Sequence, residues 1–126
     1  MQKARYARLY ADDRGESHFG DVDLGLTPVD FAPPAPPLNL TPLFPVSRCF
    51  LLGGPADWAG DTWHPTPRRQ LFCVLHGELD VTTSDGQTRR FAPGGVLLLE
   101  DTTGTGHATR AVDGREFLLL GVAPAD

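Results

Sequence analysis

The stretch Trp63–Val81, WHPTPRRQLFCVLHGELDV, decides how this chain is read. Its second half is an apolar run that kinks at Gly77 and returns, a strand followed by another strand. Side chains alternate along a strand, so an unbroken strand would bring His64, Thr66, Arg68 and Gln70 to one face, with Phe72 and Val74 continuing the same parity. Pro65 and Pro67 interrupt that strand near its start. The pattern places polar positions above an apolar floor, the plan of a small-ligand pocket.

The same punctuation runs outward on both sides. Residues 5–10 and 17–24 alternate like strands around the turn DDRGES. SRCFLLG makes another strand, closed by Gly53-Gly54. Asp85-Gly86 and Asp113-Gly114 each sit between alternating segments, the strongest short-range hairpin signal. GVLLLED and GHATRAVDGREFLLLGVA supply at least three further strands. Between Pro28 and Pro45 lie seven prolines, and such chain is extended or edge strand, not helix. With Phe31, Leu38, Leu40, Leu43 and Phe44 it reads as an arm packed on its own domain or on a partner's. Residues 1–45 are therefore expected to be N-terminal strands and arm, and 46–126 the main domain.

A length of 126 residues suits one domain. Fourteen glycines and twelve prolines favour turns over long helices. A net charge of −5 argues against nucleic acid, which asks for a basic face. No stretch approaches a membrane span, and MQKARYARLY is followed by ADDRGES rather than an apolar run, so a cytoplasmic protein is expected. Cys49 and Cys73 lie in apolar strand settings and read as buried thiols.

Two stretches in order resemble the motifs of the cupins, small double-sheet β-barrels, over about residues 48–122. Gly60, His64, Gln70 and Gly77 fall where the first cupin motif has Gly, the first of two His, Glu and Gly. Pro93, Gly95 and His107 fall on the second motif. The resemblance implies an all-β fold, a double-stranded β-helix or jelly-roll barrel, with a proline-rich N-terminal arm. In metal-binding cupins both histidines and the Glu of the first motif join the second-motif His around one divalent ion. Here only His64 and His107 match; Thr66 replaces a histidine and Gln70 the glutamate. What the resemblance implies is thus at most a weaker site of His64, His107 and Gln70 for iron, manganese, nickel or zinc.

Three functions follow. The first is an enzyme of the oxygenase or isomerase type with a divalent metal as Lewis acid or oxygen-activating centre. The second is a metal-free isomerase, epimerase or cyclase using His107 or His64 as acid and base, with Gln70 setting the tautomer. The third is a small-ligand-binding module without turnover. Arg68 is a candidate for a substrate carboxylate, and Trp63, Thr66 and Phe72 for the pocket lining. Glu100 or Asp101 is a candidate for the missing acid, with loop capping the blander role for Asp101. His76 at the kink and His18 outside the motifs carry no assigned role. Cupins commonly pair, so a homodimer is expected, its arm covering the partner.

Overall fold

A computed structural model describes residues 2–125. Its strands are β1 Lys3–Ala11, β2 Ser17–Gly25, β3 Thr27–Val29, β4 Leu38–Leu40, β5 Val46–Gly54, β6 Gln70–His76, β7 Leu79–Thr83, β8 Thr88–Phe91, β9 Val96–Leu99, β10 His107–Ala111 and β11 Phe117–Pro124. A single 3-10 turn, Val112–Gly114, joins the last two, with Asp113 at a positive φ of 56°. Among the described residues no helix is long and apolar enough to cross a membrane.

Six strands form one sheet in the order β2-β1-β9-β6-β11-β5, and three form a second in the order β10-β7-β8. Every pairing is antiparallel except β1 with β9. One apolar cluster lines the space between the sheets. Leu9, Phe19, Val74, Leu97, Leu99, Phe117 and Leu119 come from the large sheet, and Leu79, Val81, Phe91 and Ala111 from the small one. Alternation explains the choice: Leu97 and Leu99 face inward, as do Phe117 and Leu119, while Leu118 and Glu100 face away.

The expected jelly-roll barrel is not formed. β2 and β5 are the free edges of the large sheet, and neither pairs with β8 or β10, so no sheet closes on itself. The expectation of a β-barrel rested on strand spacing and the two cupin-like motifs, and neither decides whether the sheet edges pair. Prolines at 65 and 67 offer no N–H to a ladder. The segment around them makes one isolated bridge, His64 with His107, before β6 begins at Gln70. The result is an open, two-layered arrangement joined at that seam.

The N-terminal strands are part of the large sheet, with β1 lying between β2 and β9. The proline-rich segment makes its own ribbon, β3 with β4. Phe31, Leu38, Leu43 and Phe44 on it are exposed. Cys49 is exposed and Cys73 half-buried, both as free thiols, so neither is the fully buried cysteine expected.

Candidate functional site

A cavity of about 240 Å³ lies between the two sheets. Its walls are apolar: Phe72, Val74, Val81, Phe91, Leu97, Leu99, Phe117 and Trp58, the last packed edge-on against Phe117. His64, Thr66, Gln70, His107 and Thr109 supply the polar part of the lining.

The histidines are brought together by backbone. His64 N–H donates to the His107 carbonyl at 3.1 Å, and His107 N–H donates back at 3.0 Å. Their rings lie 5.1 Å apart, tilted by 51°. So close a crossing requires the residue before His107 to be glycine. Gly106 has φ +78°, and a Cβ there would collide with the His64 carbonyl. Thr66 N–H, donating to the Asp101 carbonyl at 3.1 Å, ties the same segment down a second time.

His64 is exposed and stands at the rim; His107 is only 4% exposed. The Nδ1 of His64 donates to the Thr62 carbonyl at 2.9 Å, which leaves its Nε2 as the open nitrogen. The Nδ1 of His107 donates to Asp101 Oδ2 at 2.6 Å. Asp101 is wholly buried, and its Oδ1 has no hydrogen-bond partner. A buried carboxylate behind an imidazole fixes ring orientation and tautomer, leaving Nε2 as the nitrogen with no partner among the described residues.

Thr66 and Gln70 are buried and largely engaged with each other. Thr66 Oγ1 donates to the Arg68 carbonyl at 2.7 Å and accepts from Gln70 Nε2 at 3.1 Å. Because the threonine proton is committed to a carbonyl, the glutamine must be the donor, so its Oε1 is turned elsewhere.

Arg68, Trp63 and Glu100 do not line the cavity. Thr66 and Arg68 close a tight turn that points Arg68 into a surface depression with Ser47 and Arg69. Trp63 is exposed on the outside, and Trp58 lines the cavity instead. Glu100 accepts from Arg8 Nε at 2.7 Å and Arg69 Nε at 2.9 Å on the outer face. Burial pushes its carboxyl upward, but the two guanidiniums outweigh burial and hold it below the usual glutamate value. Asp101, one residue on and of opposite parity, is the acid that reaches the site. Thr109 and Trp58 also line the cavity, and neither is among the site residues expected from the sequence.

A second cluster lies apart from the cavity. Asp12, Glu16 and His18 bring three ligand atoms within 4.8 Å of one another, a donor set with the chemistry to chelate a divalent metal. It is half-buried to exposed. His18 Nε2 bonds Asp12 at 2.7 Å and its Nδ1 bonds Asp85 at 2.9 Å, so both nitrogens already have carboxylate partners. His76 is exposed at the end of β6.

No known family profile matches the chain, and no curated protein matches it. Among solved structures, the chain is similar to the cupin domain of Cnp3 from Schizosaccharomyces pombe at 16% identity and a TM-score of 0.47. That likeness covers 98% of this chain and 84% of the other. It carries no statement about what this chain binds or does.

Proposed function

We propose that this protein is a small-molecule enzyme that moves a proton with His107, oriented by Asp101, and that His64 at the rim is the second proton-handling group. The observation that carries the reading is the 2.6 Å bond from His107 Nδ1 to a fully buried Asp101, with the imidazole lining an apolar cavity. In that arrangement Nε2 accepts a proton from a bound carbon acid or hydroxyl, and Asp101 steadies the imidazolium that results. His64, exposed at the rim on a ring 5.1 Å away, takes a proton onto Nε2 from solvent and gives it elsewhere on the same molecule. Such a pair suits isomerisation, epimerisation or cyclisation.

The donors do not fit the four-ligand metal centre of metal-binding cupins. Thr66 spends its hydroxyl on Arg68 and Gln70, Glu100 is held by two arginines, and Asp101 faces Nδ1 of His107, not Nε2. Among the described residues no group of three His, Cys or carboxylate ligand atoms includes His64 and His107. No step is therefore routed through an ion. Binding without turnover is the reading that remains if proton transfer is absent.

The test is deuterium exchange into the α-carbons of a panel of small cyclic and aryl ketones, followed by NMR in heavy water. Wild type is expected to accelerate exchange over buffer by roughly 10²–10⁴-fold, the usual yield of a positioned acid or base. His107→Ala is expected to return it to the buffer rate, and a chelator to leave it unchanged. Exchange at the buffer rate across the panel would sink the proton-transfer reading. Stoichiometric metal in untagged protein, lost in His107→Ala, would replace it with a two-histidine metal site.

A further inference from the structure

We infer that the cavity takes an uncharged, largely apolar molecule of monocyclic size with one hydrogen-bonding group, and that carboxylates, phosphates and ammonium compounds are excluded. The inference rests on the same cavity as the proposed function and adds to it the class of substrate.

The first ground is where the charges lie. Apart from the two histidines, no ionisable side chain lines the cavity. The nearby arginines face outward and are engaged there. Arg8 and Arg69 hold Glu100, Arg89 holds Asp21, Arg90 holds Asp80, and Arg68 opens onto the outer depression. The lining holds no arginine or lysine, so a carboxylate ligand would leave water for an apolar space where it meets a cation only if one of the two histidines is protonated. The charge closest to hand is Asp101, directly behind His107 and of the wrong sign for an anion. An ammonium ligand fares no better, because His107 stands between it and that carboxylate.

The second ground is size and wall chemistry. The cavity volume is about 240 Å³. It lies below the usual range for drug-sized ligands, about 300–1,000 Å³. Trp58, Phe72, Phe91 and Phe117 offer ring faces and edges to a planar guest. The open polar atoms are few: Nε2 of each histidine, Gln70 Oε1 and the Thr109 hydroxyl. That inventory suits a single hydroxyl or carbonyl on an otherwise apolar body.

The experiment uses wild-type protein and three probes of one shape: benzyl alcohol, benzoate and benzylammonium. Binding is read from the imidazole ¹⁵N resonances of His64 and His107 and from the melting temperature. Saturable millimolar binding of benzyl alcohol is expected, with both ions about tenfold weaker or worse. Benzoate or benzylammonium binding as tightly as the alcohol would overturn the inference. So would the absence of saturable binding by the alcohol. Benzyl alcohol carries no exchangeable α-proton next to a carbonyl, so this result stands apart from the exchange assay. Alcohol binding without ketone exchange would leave the ligand class intact and remove only the proton chemistry.

Discussion

Ser17, at the start of β2, donates its hydroxyl to the Gly106 carbonyl at 2.6 Å, so one hairpin of the large sheet holds the residue that leads into His107. Ser17 is fully buried, and its Oγ also accepts from the Ser84 N–H at 2.8 Å. Ser17→Ala leaves a buried carbonyl and a half-buried N–H without these partners. A loss of about 1–3 kcal/mol is expected in urea unfolding. An unchanged midpoint would show that water replaces the hydroxyl.

Gly106→Ala should be worse than a loop alanine usually is. It meets both a φ of +78° and the His64 carbonyl. The expected cost is about 1–3 kcal/mol, with the reciprocal His64–His107 bonds broken. Hydrogen exchange at these two amides checks it directly: both should lose protection while the β6 amides keep theirs.

Asp101→Asn tests orientation against structure. The amide keeps the shape of the carboxylate but cannot favour the same tautomer and imidazolium. Ketone exchange is expected to fall about 10²-fold or more while benzyl alcohol affinity stays within a few-fold. A parallel loss of both would make Asp101 a folding residue rather than a positioning one.

The cluster around His18 gives the chain a defined pH response. Hydrogen bonds that His18 donates to Asp12 and Asp85 raise it above 6.5. A bond to His18 lowers Asp12, and a bond from Thr83 lowers Asp85, each below 3.8. The histidine's contribution is complete below pH 6.5 and fades as pH rises through its raised value. The aspartates' contribution is present above pH 3.8 and fades as pH falls through their lowered values. Melting temperature should therefore decline on the alkaline side in wild type and decline less in His18→Gln. Parallel profiles for the two proteins would remove the coupling.

Exposed apolar side chains set the fifth expectation. Leu51, Leu75 and Leu118 on the large sheet, and Phe31, Leu43 and Phe44 around the proline-rich segment, are all open to solvent. We propose that a second copy of the chain covers some of this surface. Light scattering should then give twice 13.6 kDa, and Leu51→Lys with Phe44→Glu should halve it. A wild-type mass of one chain would dismiss the pairing.

Parity made much of the site legible in the sequence. His64, Thr66, Gln70, Phe72 and Val74 share one parity, and all five line the cavity. Arg68 shares it too but leaves the series, because the Thr66 hydroxyl captures its carbonyl and turns the chain. That bond depends on the prolines breaking the strand, and no period-two pattern reveals it. Asp101 was within reach: Leu97 and Leu99 point inward, so the next residue of that parity after Glu100 does as well. Sheet closure was not within reach. Strand count and turn spacing are the same for an open pair of sheets and a barrel, and the difference lies in which edges pair.

The cavity mouth is wired by main chain and equipped by side chain. His64 is held through its own N–H and carbonyl, neither of which depends on the imidazole. Position 64 is therefore an interchangeable fitting. Saturation mutagenesis there would sample new side chains over a main-chain frame that stays in place, at the loss of the ring's own bond to the Thr62 carbonyl.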